Sequence, residues 1–217
     1  MVILSRIYTR TGDTGITALG DFSRTSKNDP RLVTYADTDE TGSVIGVAIA
    51  CGDLRADLVT MLTRVQNELF DVGADLCTPL VSAPKHPPLR VQQVWIDDLE
   101  SDCNRLNNEV ETLQSFILSG GSSGAAHLHL ARTVARRAER SAWTALQMYG
   151  ESHASSDNEP GGVNPLTATY LNRLSDLLFL AARVANLPYG GDVLWQPGGG
   201  RELRPDQSAN IDESQTD

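Results

Sequence analysis

The 217-residue chain is 40% hydrophobic and 21% charged, enough to bury a substantial core as one domain or at most two. A formal net charge of −10 and a sequence pI near 4.8 exclude a broad nucleic-acid or anionic-membrane surface. Cys51, Cys77 and Cys103 form no CxxC pair, Arg6 and Arg10 come too early for a secretory signal, and no apolar run approaches the ~20 residues that cross a bilayer, so the expectation is a soluble cytoplasmic protein with reduced thiols and neither nucleic-acid nor membrane partners.

Residues 1–32 are rich in Gly, Thr, Asp and Ser without apolar periodicity and read as a loop. Within it, residues 8–17 set Gly12 and Gly15 among threonines; glycines let backbone N–H groups converge on an anion, and Arg10 with Lys27 adds charge. The stretch is either a phosphate cradle or a plain N-terminal turn, and it lacks the Walker A spacing. A first helix is expected over about 33–51, with Asp37, Asp39 and Glu40 near its positive dipole end; Asp39 and Glu40 either complement that dipole or pair with arginines. Leu58, Leu62, Val65, Leu69, Val72 and Leu76 alternate four and three apart, the seam of a second helix that Thr78-Pro79 stops. Beyond Pro84, Pro87 and Pro88, a third and more polar helix is expected over 91–113.

Phe116-Ile117-Leu118 then leads into a glycine-rich turn that formally contains GxSxG with Ser122 at the nucleophile position. A serine hydrolase needs a parallel sheet carrying its acid and histidine, and the pattern offers none, so the glycines read as a turn into the fourth helix, 123–149. On that helix Arg132, Arg136 and Arg140 repeat at i, i+4 and i+8, while Ala131, Val134, Ala135 and Ala138 pack. Like charges at this spacing repel. Either acidic neighbours neutralise them or they meet an anion, and the planar guanidinium fork makes a polyphosphate the first hypothesis. His127 and His129 lie on different faces, which disfavours a shared metal and leaves packing or capping roles. Residues 150–165, crowded with Gly, Ser, Asn, Asp and Pro, read as disordered. A fifth helix is expected over 167–187, an otherwise apolar one, where Asn172 and Asp176 share a face inside the bundle and either tie helices together or touch a ligand. The resulting organisation is an N-terminal loop (1–32), an all-α five-helix bundle (33–195) and a disordered polar tail (196–217).

Taken together, residues 8–15, Asp39-Glu40, and residues 66–75, 116–121, 128–140 and 170–179 resemble, in order, the PduO-type ATP:cob(I)alamin adenosyltransferases, also called corrinoid adenosyltransferases. The resemblance implies a five-helix bundle of ferritin-like, four-helix-bundle-like architecture. It also implies a homotrimer with ATP and the corrinoid bound between adjacent subunits. Thr9, Arg10, Thr11, Gly12, Thr17, Ala18 and Lys27 would wrap ATP, and Arg136, Arg137, Ala138, Glu139, Arg140 and Asn172 would complete its pocket. Asp39 and Arg132 would form an inter-subunit ion pair and Phe116 would lie beneath the corrin, making these three both catalytic and cobalamin-binding. The implied reaction transfers the 5′-deoxyadenosyl group of ATP to cob(I)alamin, with Mg²⁺ accompanying ATP on unassigned ligands and an adenosylcobalamin-dependent enzyme downstream. The alternative is a non-catalytic bundle that carries ATP or corrinoid. The sequence departs from the family pattern at Thr41-Gly42, where Leu-Asn is usual, at Ser119, where proline is common, and in the length of the 150–165 loop.

Overall fold

The structure is a computed structural model and describes residues 8–84, 86–156 and 159–199. Five helices dominate it: α1 (Pro30–Cys51), α2 (Ala56–Leu76), α3 (Gln93–Asn107), α4 (Ser123–Tyr149) and α5 (Leu166–Asn186), followed by a short 3-10 turn at Leu187–Tyr189. The expected five-helix architecture is present. The one sheet among the described residues is an antiparallel hairpin of β1 (Ile16–Ala18) and β2 (Arg24–Ser26), in a segment expected to lack regular elements.

Periodicity explains the bundle. The α2 seam residues Leu58, Leu62, Val65, Leu69, Val72 and Leu76 are all buried. On α4 the contact positions are alanines: Ala131, Ala135, Ala138, Ala142 and Ala145 are fully buried, and these small side chains let α4 sit close between α1 and α5. α2 packs on α1, and α3 on α5. α4 begins at the expected residue, Ser123, and is capped by Ser122, whose Oγ accepts from the Ala125 N–H at 3.1 Å.

Three expectations are corrected. α1 begins earlier than residue 33, because Pro30 occupies its first turn and the Asp29 carboxylate accepts the Arg31 N–H at 2.9 Å. Asp37, Asp39 and Glu40 therefore lie well inside α1, whose first turn holds no acid, and the dipole explanation for them is withdrawn. α3 stops at Asn107 instead of Leu113: Arg55 takes the Glu109 carboxylate at 2.6 and 2.7 Å, and Arg183 takes the Glu111 carbonyl at 2.7 Å.

The described part of 150–165 is fixed, not disordered. Leu80 and Gly162 form a bridge, and the Val163 N–H donates to the Gly150 carbonyl at 2.8 Å. Asn164 donates to Asp75, and Arg31 to the Gly161 and Gly162 carbonyls. Glycine is required where the backbones meet, since a Cβ on Gly161 would overlap the Leu80 carbonyl. The expected disorder of the tail falls, for 200–217, outside the described residues. Among the described residues no helix is long and apolar enough to cross a membrane.

Candidate active site

The hairpin turns the N-terminal loop into a shaped surface. Arg10 takes a left-handed conformation (φ 62°), the Asp13 N–H reaches the Arg10 carbonyl at 3.3 Å, and the Lys27 N–H reaches the Gly15 carbonyl at 2.9 Å. The Lys27 side chain consequently lies over Gly12, where an added Cβ would stand 3.0 Å from Nζ. Thr9 and Thr11 share a 2.9 Å hydroxyl contact, and Thr17 pairs with Thr25 across the hairpin. Thr9, Arg10, Thr11, Ala18 and Lys27 are exposed and Gly12 and Thr17 half-buried; the contacts bring Gly12 to Lys27 and Thr9 to Thr11, while Thr17 and Ala18 are successive residues of β1.

A network behind this loop was invisible in the sequence. Asp29 is 8% exposed; burial alone would raise its pKa, but hydrogen bonds from Thr25, the Arg31 N–H and Tyr149, with the Arg31 charge, hold it below the usual carboxylate value. Arg31 is 2% exposed and stacks 4.0 Å above the Tyr149 ring at the end of α4. Only the Asp29-Pro30 cap signal in the sequence pointed to this corner.

The α4 arginines separate into two groups. Arg137 is tied to α1, its Nε donating to Asp37 at 3.0 Å and its Nη2 to Glu40, while Ser141 donates to the other Asp37 oxygen at 2.6 Å. Arg132, Arg136 and Arg140 have no carboxylate partner among the described residues; Arg140 bonds only the Arg136 carbonyl, at 3.0 Å. Arg132 is half-buried, its Nε has no partner, and its guanidinium lies 6.0 Å from the Phe179 ring centroid. Burial, and then repulsion from Arg136, lowers its pKa. Ala138 is fully buried, so its side chain serves packing, and Glu139 accepts from the Trp143 indole at 3.2 Å.

Asp39 is exposed on α1 and has no cationic partner among the described residues. It borders a cleft of about 140 Å³ lined also by Tyr35, Gly42, Gln66 and Phe70, and this cleft includes neither Arg132 nor Phe116. Asn172 and Asp176, read as lying inside the bundle, are both on its exterior, and Asp176 pairs with Arg173 at 2.7 Å. His129, 1% exposed, packs edge-on against Phe179 and neither ring nitrogen has a partner; burial, then the Arg132 charge, lowers its pKa. Ser122 spends its hydroxyl on the α4 cap and on the Ala185 carbonyl, at 3.2 Å, which leaves no hydrolase nucleophile there.

Phe116 is 79% exposed on a strap joining α3 to α4. The strap is held from behind by the end of α5: Arg183 donates to Asp192 and to the Glu111 carbonyl, both at 2.7 Å, and the Asn186 amide bonds the Ser122 N–H and the Gly120 carbonyl. Gly121 (φ 100°) presses against that amide so closely that a Cβ would overlap it.

Residues 7–185 match the family of cobalamin adenosyltransferases. The chain is 55% identical over 200 residues to the corrinoid adenosyltransferase of Mycobacterium bovis, an alignment covering 92% of this chain and 97% of that one. It is 40% identical over 199 residues to the corrinoid adenosyltransferase of Bacillus subtilis, covering 88% and 92%. A solved variant of the PduO-type ATP:corrinoid adenosyltransferase from Lactobacillus reuteri, complexed with cobalamin and ATP, superposes with a TM-score of 0.77 at 32% identity, covering 88% of this chain and 99% of that one.

Proposed function

Because the chain belongs to the cobalamin adenosyltransferase family, we propose that it transfers the 5′-deoxyadenosyl group of ATP to the cobalt of cob(I)alamin and releases triphosphate. The observation that carries the site assignment is the row Arg132, Arg136, Arg140, which has no carboxylate partner among the described residues although the chain's net charge is −10.

The cobalt electron pair attacks C5′ of ATP. A cobalt–carbon bond forms as the C5′–O bond breaks, and triphosphate leaves with the electrons of that bond. No proton moves, so the protein needs no general base; it supplies orientation and charge. Thr9, Arg10, Thr11, Gly12, Thr17, Ala18 and Lys27 grip the nucleotide, Arg136 and Arg140 receive the departing triphosphate, and Glu139 and Asn172 border the same pocket. Arg137, expected at the nucleotide, we assign instead to tying α4 to α1. Mg²⁺ enters as MgATP, held mainly by phosphate oxygens. Among the described residues no group of three or more His, Cys, Asp or Glu side chains is arranged to hold a metal.

Asp39 and Arg132, each lacking an oppositely charged partner within the described chain, meet across adjacent subunits of a homotrimer, which completes the corrinoid site. Phe116 covers the lower face of the corrin and excludes a base or water there. Cobalt becomes four-coordinate and easier to reduce. The reaction takes place in the cytoplasm, and its product passes to an adenosylcobalamin-dependent enzyme.

Incubating the purified protein with MgATP and reduced cobalamin tests this reading. The adenosylcobalamin spectrum should develop with equimolar release of triphosphate. Binding of both substrates without triphosphate release would leave only a carrier.

A further inference from the structure

Phe116 stands on an exposed strap, and a lone phenyl ring there would lose rotamer freedom each time a corrinoid docked. Its position is set in advance. Its one ring neighbour among the described residues is Trp195, edge-to-face, with centroids 6.0 Å apart and planes at 74°. The two residues are also locked through their backbones: the Trp195 N–H donates to the Phe116 carbonyl at 2.8 Å, and the Leu118 N–H to the Val193 carbonyl at 2.7 Å. The Ser115 hydroxyl reaches the Trp195 carbonyl at 3.1 Å, and Ile117 bridges Leu194. The Arg183–Asp192 ion pair anchors the segment carrying Trp195, while Arg183 holds the Glu111 carbonyl of the other segment.

We infer that Trp195 is a positioning residue for the reaction: it fixes the ring of Phe116 in the orientation that keeps a ligand off the lower face of the corrinoid. This inference rests on the role proposed above for Phe116. Trp195 touches no substrate in this scheme; it acts through the ring it supports.

The readout is the fraction of four-coordinate cob(II)alamin, measured by electron paramagnetic resonance on protein saturated with MgATP. Trp195→Ala should lower that fraction roughly two- to tenfold, the worth of one edge-to-face aromatic pair. Trp195→Phe should recover most of it, and MgATP affinity should stay within about twofold of the parent protein for both. If Trp195→Ala fails to fold, Trp195→Leu, which keeps bulk without an aromatic ring, is measured in its place with the same expectation. An unchanged fraction in the Trp195 variant, beside a Phe116→Ala variant that has lost it, overturns the inference and leaves the Phe116 role standing. A Phe116→Ala variant that keeps the fraction removes the Phe116 role, and the inference with it. Parallel loss of MgATP affinity in the Trp195 variant also overturns the inference, because a general structural defect would then explain it.

Discussion

Replacing Arg137 by alanine separates nucleotide binding from helix tethering. The Arg137 side chain is 42% exposed and Glu40 is 51% exposed, so that arm of the ion pair is screened and contributes roughly 0–1 kcal/mol. Asp37, only 15% exposed, would keep its bond from Ser141 but lose a charged donor. The total cost is about 1–2 kcal/mol, or roughly 2–8 °C in thermal midpoint for a chain of this size. KM for ATP should stay within about threefold, because in this structure the guanidinium is already occupied by α1. Arg136→Ala and Arg140→Ala should behave in the opposite way. Neither breaks a carboxylate pair, so stability should move by less than about 0.5 kcal/mol, while loss of a charge-assisted bond to triphosphate should raise KM for ATP roughly 10- to 150-fold. Differential scanning fluorimetry beside steady-state kinetics measures both quantities. A large rise in KM for Arg137→Ala with no change in thermal midpoint would show that Arg137 leaves Asp37 to bind the nucleotide, and the division of the arginines drawn here would be wrong.

Asp39→Arg and Arg132→Asp should each shift the proposed trimer toward monomers on a sizing column and cut turnover at least about tenfold, whereas the double exchange should restore assembly; singles that assemble like the parent protein would exclude the pair. His129 has a native pKa below its ordinary value of 6.5, so the unfolded chain takes up the proton first on acidification. Its share of stability is complete above that value and is lost as pH falls from there toward the lower native pKa. His129→Leu, which leaves Arg132 and Asp192 as the charges nearby, should flatten thermal midpoint against pH as pH falls below the ordinary value of 6.5, and an unchanged acid limb would refute this. Gly121→Ala forces a left-handed backbone and overlaps the Asn186 amide; it should cost about 1–3 kcal/mol, visible as a lower urea midpoint, and a midpoint equal to the parent's would contradict the packing described.

How much of this was legible in the sequence depended on whether side chains or backbone did the packing. α2 and α4 were readable almost to the residue, because a heptad of leucines and valines and a file of alanines each state which face is buried. The 150–165 loop was misjudged by composition. Gly161, Gly162 and Asn164 bury little apolar area, yet the two glycine carbonyls are held by Arg31, the Gly162 carbonyl also by the Leu80 N–H, and the Asn164 amide is held by Asp75. β1 and β2 are three residues each, too short to show alternation. The arginine row announced itself through repulsion at i and i+4, but the sequence could not say that Arg137 alone of the four would find acids on α1. Asn172 was placed inside the bundle because its neighbours are apolar, and it lies on the face those neighbours leave outward.

Arg31 governs where the arm proposed to grip the nucleotide can move. Its guanidinium is sealed against Tyr149 and two carbonyls more than a hundred residues away, and burial already lowers its pKa. Swinging it outward would break its bonds to the Gly161 and Gly162 carbonyls, leave those carbonyls unpaired and give up the stack on Tyr149. The pivot of the arm must therefore lie ahead of Asp29, giving a short lever on a fixed post. Amide exchange should report that division, fast through residues 8–28 without nucleotide and slow from Arg31 onward with or without it.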